Sequence, residues 1–252
     1  MLAKTTLLDK CSNVERDTGL AERLRVTELD PLGFKNARRD QTSVTAGLER
    51  KILAWLALRT PAGVNSDHLT LLGFVSMLLV GAGYALARSN PLGLILATFF
   101  LALNWLGDSL DGTLARVRNR QRPRYGFYVD HMVDVFGALF LIGGLALSGY
   151  IDWRIAAGML VAFLMLSIEI YLATYTLGVF TLSFFKFGPT EIRIVLGLGN
   201  VVVWFKPHAR VFAFGYRLFD FGGCMAIAGM AIMLVAATAH HTVKLYREER
   251  LP

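Results

Sequence analysis

Asp108, Asp111, Asp130 and Asp134 stand in the runs Asn104-Trp-Leu-Gly-Asp108-Ser-Leu-Asp111-Gly112-Thr-Leu-Ala115-Arg116 and Gly126-Phe-Tyr-Val-Asp130-His-Met-Val-Asp134. On a helix the first two are i,i+3 neighbours and the last two i,i+4 neighbours, so each pair shares one face. A short basic segment joins the two stretches, which makes the helices antiparallel and adjacent, and the two acidic faces can converge on one pocket. Four carboxylates so close repel strongly in a low dielectric, and no Lys or Arg lies on the same faces to neutralise them. The ordinary alternatives are protonation or bound cations. Oxygen-only ligands with no Cys nearby select a hard ion, Mg²⁺, Mn²⁺ or Ca²⁺. Four carboxylates suit two such ions, the arrangement that clamps the attacking and leaving oxygens of a phosphoryl transfer.

The neighbouring small residues fit a phosphate-bearing ligand. Gly112 follows Asp111 directly and Gly126 lies one turn before Asp130, so both let backbone approach a nucleotide closely. Ala115 is small on the Asp108/Asp111 side, and Arg116 is placed to meet a diphosphate at the mouth of the pocket. At 1.5 Å rise per residue, Asp134 lies roughly 12 Å along its helix beyond Gly126. At that depth a soluble nucleotide enters from one face of a membrane while a lipid reaches the same site sideways.

The elements that position these residues follow from composition. The chain has 252 residues, 54% hydrophobic and 18% charged, with a formal charge of +7 and a mean hydropathy of +0.48. A soluble domain of this length carries nearer a quarter charged residues. Disorder, collagen and a disulfide scaffold are excluded. The two cysteines, Cys11 and Cys224, suggest neither a disulfide framework nor a zinc site. Apolar runs of membrane-crossing length give six expected spans, 68–88, 91–111, 127–149, 154–181, 191–206 and 217–240, the fifth being the weakest. The expected fold is all-α, a polytopic integral membrane protein of about six transmembrane helices.

Before the spans the chain reads as soluble, with no signal peptide. Its expected divisions are a cytoplasmic N-terminal segment 1–43, an amphipathic interfacial helix within 44–67, the six-helix catalytic domain 68–240 and a cytoplasmic tail 241–252. On periodicity alone, a plain soluble helix fits 44–60 equally well. No internal repeat suggests an inverted-repeat transporter.

Basic residues fix the orientation. Only Arg88, Arg154, Lys206, Arg210 and Arg217 of the 26 Lys and Arg fall on one side of the six spans. The other 21 mark the cytoplasmic side, which holds both termini and the 116–124 loop. The positive excess therefore faces anionic lipid headgroups, where Arg118, Arg120, Arg122 and Arg124 are expected to lie, rather than nucleic acid. Of the buried charges, an acid at the helix centre costs about 2.5–3.5 kcal/mol or more, so Glu169 on the fourth span joins the four aspartates as a candidate.

The pattern Asp108-x2-Asp111-Gly112-x2-Ala115-Arg116-x9-Gly126-x3-Asp130-x3-Asp134 resembles, complete, the signature of the CDP-alcohol phosphotransferases (CDP-alcohol phosphatidyltransferases). At average usages of ~5–8% per residue type, such a match arises by chance in well under roughly one chain in a million. The resemblance covers about residues 45–240 and leaves the first forty or so unexplained. It implies an enzyme that cleaves a CDP-linked alcohol, transfers its phosphoryl-alcohol part to a second alcohol and releases CMP. It implies two divalent cations, Mg²⁺ or Mn²⁺, on Asp108, Asp111 and Asp130, with Asp134 a further ligand and the general base. Asp108, Asp111, Gly112, Ala115, Arg116 and Gly126 would line the nucleotide site. It also implies membrane lipids as partners and a homodimer as the frequent assembly; with the charge distribution, the expected location is a bacterial inner (plasma) membrane with the site facing the cytoplasm and no nucleic-acid partner.

The second substrate is less marked. Ser66-Asp67-His68-Leu69-Thr70 is similar to the segment that precedes the first span in the family, with Asp67 where Asn is common, and also reads as a helix start with Ser66 as its cap. Gly188-Pro189-Thr190-Glu191-Ile192-Arg193 opens the fifth span, and its Thr-Glu-Ile-Arg-Ile run resembles the branch that joins CDP-choline or CDP-ethanolamine to diacylglycerol. Lys186 and Arg193 match basic residues that bind an acceptor phosphate in the inositol-phosphate branch, or serve as positive-inside anchors. Lys186, Glu191 and Arg193 are thus the second-substrate candidates. Phospholipid synthesis from CDP-diacylglycerol and a hydrophilic acceptor is the first expectation, the aminoalcohol reaction the second, and a divalent-cation transporter the reading from another class.

Overall fold

The computed structural model describes residues 38–39, 46–177, 179–180, 189–207, 210 and 215–249. The segment 1–37, Lys186, Gly188 and the last three residues lie outside them. The described residues form seven helices: α1 (Ala46–Arg59), α2 (Ser66–Ala87), α3 (Leu92–Val117), α4 (Pro123–Ser148), α5 (Trp153–Leu177), α6 (Pro189–Phe205) and α7 (Leu218–Glu248). Two-residue strands, β1 (Arg38–Arg39) and β2 (Val179–Phe180), pair in parallel.

Helices α2, α3, α4, α5 and α7 are long and apolar enough to cross a membrane. Each shows large apolar side chains outward, among them Leu71, Phe99, Leu147, Ile168 and Val235. Such a surface is stable only against hydrocarbon. The chain is therefore an all-α polytopic membrane protein. The fifth expected span is the shortest of the six, 17 residues in α6, or about 25 Å, near the lower limit for crossing.

Local signals set the ends. Asn65, rather than Ser66, caps α2, and its N–H donates to His68 Nδ1 at 3.2 Å. Pro189 opens α6 and Pro123 opens α4, where a missing N–H costs nothing. Gly149, at φ 79°, closes α4 in the left-handed conformation that an L side chain avoids.

Close crossings bring the acidic helices together. Gly107 of α3 lies against α2, where a Cβ would stand 2.7 Å from Gly73 N and from Leu69 O. Gly81 of α2 meets Gly144 and Phe140 of α4 backbone to backbone. Small residues permit this approach in lipid, where packing rather than the hydrophobic effect holds helices together. Gly144→Leu should therefore separate α2 from α4 and cost about 3 kcal/mol or more. Thermal unfolding in detergent would register the loss, and an unchanged midpoint would refute the crossing. A Cβ on the neighbouring Gly143 would meet nothing within 4 Å.

Helix α6 is fixed by polar bonds at membrane depth. Tyr84 donates to Asn200 Oδ1 at 3.0 Å, and Asn200 Nδ2 donates to Thr98 Oγ1 at 3.0 Å. Asn200 lies two turns beyond Arg193, on the same stripe, so this anchor also aims Arg193 inward.

Helix α1 buries Leu53 and Ala57 against Leu69, Leu110 and Leu114 at the ends of α2 and α3. It leaves Ile52, Trp55 and Leu58 exposed at 41%, 51% and 75%. One apolar stripe thus docks on protein and a second faces out. The Arg59 guanidinium sits 4.0 Å over the Trp55 ring.

Candidate active site

Three helical stripes and one side chain from a fourth helix build a single cleft. Helix α2 contributes Thr70, Gly73 and Met77; α3 contributes Asn104, Asp108 and Asp111; α4 contributes Asp130, Asp134 and Gly137; α6 contributes Arg193. Every interval within a stripe is three or four residues, the spacing that keeps side chains on one helix face. All four motif aspartates thus face the same space. From Thr70, Asp111 and Asp130 at one end the cleft runs to Met77, Asn104 and Gly137 at the other.

The aspartates have protein partners. Thr70 Oγ1 donates to Asp111 Oδ2 at 2.7 Å, and the Gly112 N–H donates to Asp111 Oδ1. Arg193 Nη2 donates to Asp108 Oδ2 at 2.7 Å, with the arginine side chain only 13% exposed. The reading that no cation faces the aspartates is therefore corrected: Arg193, from a helix some eighty residues along the chain, supplies one. Helical periodicity within α3 and α4 contains no trace of it. One guanidinium against four carboxylates still leaves a negative excess whenever more than one is ionised, which favours cations in the cleft.

The donor set, all carboxylate oxygen, fits hard divalent ions by its chemistry. As arranged, no three acidic, histidine or cysteine side chains among the described residues stand close enough to share one ion.

The other sequence candidates distribute around this cleft. Ala115 lines a second, more open cleft with Asn65, Asp67, Arg118, Arg120 and Arg122. A Cβ on Gly126 would meet nothing within 4 Å, and one on Gly112 only the Arg116 guanidinium at 3.6 Å, so neither glycine is explained by packing. Arg116 Nη2 donates to Thr113 Oγ1 at 3.1 Å. Glu191 lies in the first turn of α6 and does not line the aspartate cleft. Lys186 lies outside the described residues.

Two of the loop arginines expected at lipid headgroups are bound to protein. Arg118 donates to the carbonyls of Thr60 at 2.8 Å and Pro61 at 3.0 Å, and to Val64. Arg122 pairs with Asp67, whose hydrogen bond raises the guanidinium further above its ordinary value. These bonds tie the α1–α2 connection to the end of α3 and form the rim of the second cleft. Glu169, the remaining intramembrane acid, accepts from or pairs with His241 Nδ1 at 2.6 Å, a contact between α5 and α7 away from the cleft. His131 packs on Phe127 and Tyr171.

Glu49 of α1 is a residue that sequence reasoning missed. Its Oε1 accepts from Trp105 Nε1 at 3.0 Å, Ser109 Oγ at 3.1 Å and Thr190 Oγ1 at 3.2 Å. Ser109 adjoins Asp108, and Thr190 lies one turn before Arg193, so one carboxylate holds both sides of the Asp108–Arg193 pair. The available signal was a lone acid on the inward side of an amphipathic helix. Glu49→Ala should lower activity about tenfold, the value of one or two charge-assisted hydrogen bonds, while Glu49→Gln keeps a carbonyl acceptor and most of the activity. Rates of nucleotide release from the two variants would test this, and equal rates would refute it.

Comparison with known proteins bears on the same region. Residues 65–238 match the sequence model of a family described as CDP-alcohol phosphatidyltransferase. The archaetidylinositol phosphate synthase of Pyrococcus horikoshii is 32% identical over 93 residues, which is 37% of this chain and 46% of that protein. The match thus spans about half the length of the curated relative.

Proposed function

The chain belongs to the CDP-alcohol phosphatidyltransferase family, and on that premise we propose that it is a membrane transferase of phospholipid synthesis. It transfers a phosphatidyl group from CDP-diacylglycerol to a hydroxyl of a polar acceptor and releases CMP. The observation that carries this reading is that Asp108, Asp111, Asp130 and Asp134, from two helices, line one cleft. A CDP-lipid donor with a polar acceptor is preferred to a CDP-aminoalcohol with diacylglycerol because the relative's name joins a lipid to inositol phosphate.

In the proposed reaction the acceptor oxygen attacks the lipid-bound phosphorus. The new O–P bond forms as the bond from that phosphorus to the bridging diphosphate oxygen breaks, and CMP leaves with that oxygen. The attacking hydroxyl gives its proton to Asp134, on the α4 stripe beyond Asp130. Asp108, Asp111 and Asp130, with Asp134 as a fourth ligand, would hold two divalent cations, Mg²⁺ or Mn²⁺. Bound there, such ions supply charge neutralisation for the diphosphate. The open cleft lined by Ala115, Arg118, Arg120 and Arg122 is the proposed nucleotide site, with Gly112, Arg116 and Gly126 as the further nucleotide candidates. Once Asp108 exchanges partners, Arg193 is free to meet an acceptor phosphate, with Lys186 and Glu191 as the further second-substrate candidates. The distribution of basic residues favours a cytoplasmic site; a bacterial inner membrane is the proposed location and a homodimer the proposed assembly.

The test is a lipid-product assay on purified protein with labelled CDP-diacylglycerol and CDP-ethanolamine against a panel of polar and lipid alcohols. CMP and a phosphodiester-linked lipid are the expected products. Mg²⁺ flux into vesicles without any CMP release would instead favour a cation transporter and end the enzyme reading.

A further inference from the structure

Asn104 interrupts the apolar run of α3, and the cleft explains only half of its side chain. It is 4% exposed and lines the aspartate cleft one turn from Asp108. Its Nδ2 donates to the Gly73 carbonyl at 2.9 Å. A carbonyl only accepts, so this bond fixes which way the amide is turned. Oδ1, the strong acceptor, is left buried with no hydrogen-bond partner among the described residues. Burying such an atom is costly unless a donor reaches it.

No donor that lines the cleft reaches Oδ1: Thr70 gives its hydroxyl to Asp111 at the far end, and Arg193 is turned to Asp108. The surrounding Gly73, Met77, Val133 and Gly137 have backbone amides committed to their own helices, and the only side chain among them with a polar atom is a thioether. The donor must therefore arrive with a ligand. Depth limits which part of it. Asn104 lies about 10 Å along α3 from Asp111, and further from Ala115 and the second cleft, so the nucleotide end is out of reach. The group at this depth belongs to the acceptor, beside Asp134. In the reaction above, the attacking hydroxyl gives its one proton to Asp134 and has none left for Asn104. A second O–H is needed.

We propose that Asn104 is a specificity-determining residue whose Oδ1 accepts a hydrogen bond from a second hydroxyl of the acceptor, next to the one that attacks. The acceptor is accordingly a polyol, and an alcohol with a single hydroxyl, such as diacylglycerol, leaves Oδ1 unmatched. This rests on the transfer reaction proposed above and narrows its acceptor.

The test uses the purified full-length protein in detergent with CDP-diacylglycerol and Mg²⁺. Acceptors are sn-glycerol 3-phosphate against propane-1,3-diol monophosphate, which lacks the central hydroxyl, and myo-inositol 1-phosphate against its monodeoxy analogues. Whichever polyol supports CMP release, loss of the neighbouring hydroxyl should lower kcat/KM on the order of 10–100-fold. Asn104→Leu should compress that ratio to within about threefold by lowering use of the parent polyol. Asn104→Ser, which keeps an acceptor oxygen, should retain part of it, and decides the matter if the leucine variant does not fold. Equal use of polyol and deoxy analogue by the unaltered protein would overturn the inference and leave the transfer reaction standing. So would an undiminished ratio in the variants, or a shift confined to the Mg²⁺ requirement, which would assign Oδ1 to a water on the ion. No CMP release with any polyol would overturn the inference and the proposed transfer together.

Discussion

Asp134→Asn is expected to lower CMP release by about a thousandfold or more while leaving the protein folded and able to bind the CDP-linked donor. The substitution keeps the size and shape of the side chain, so it opens no cavity and leaves the Gly81–Gly144 crossing of α2 and α4 untouched. What it removes is a proton acceptor in the wall of the cleft. General base catalysis contributes typically about 10²–10⁴-fold, and loss of a ligand oxygen for a cation adds to that. Asp134 also lies further from the nucleotide cleft at Ala115 than Asp130 does, one turn along α4, so donor binding should suffer less than turnover. The pair of measurements is steady-state CMP release at saturating substrates and calorimetric binding of CDP. Normal release by the asparagine variant would remove Asp134 as the base. Loss of CDP binding in proportion to turnover would recast it as a binding residue.

Removal of divalent cations should have an effect of similar size. With one guanidinium among four carboxylates, the diphosphate of a CDP-linked donor would meet like charge in a low dielectric, and approach would be unfavourable. Protein treated with excess EDTA should therefore fall to background, and Mg²⁺ or Mn²⁺ added back should restore it. Asp111→Asn should raise the Mg²⁺ concentration needed for half-maximal rate by tenfold or more, since it removes a proposed ligand oxygen that Thr70 already holds in place. Thr70→Val tests the same support from outside the ligand set and should shift that requirement by a smaller factor. Full turnover in EDTA would exclude the ions from the reaction and leave the carboxylates to work by proton transfer alone.

Much of this arrangement is legible along the chain. The apolar runs mark α2, α3, α4, α5 and α7 because a hydrocarbon environment demands long uncharged helices. Spacings of three and four put Asp108 with Asp111, and Asp130 with Asp134, on common faces. The breaks at Pro123 and Pro189 follow from the chemistry of proline, whereas the expected adjacency of α3 and α4 is corrected: each packs chiefly on α2 rather than on the other. Other features were misjudged for a single reason. The cap of α2 and the two bound loop arginines depend on which neighbour comes within reach, and local sequence does not encode that.

The residues alone determine a membrane-spanning helical chain with two acidic helix faces, because burial in lipid and helical periodicity are local constraints on side-chain type and spacing. Only the tertiary structure decides what stands opposite those faces. It brings Arg193 to Asp108 through an α6 register set by Asn200, Tyr84 and Thr98. It sets Glu49 across three helices and leaves Asn104 Oδ1 in the wall of the cleft. These are contacts between residues 31 to 141 positions apart. They are fixed by how closely glycine-bearing helices approach one another, a property of the packed bundle rather than of any one segment.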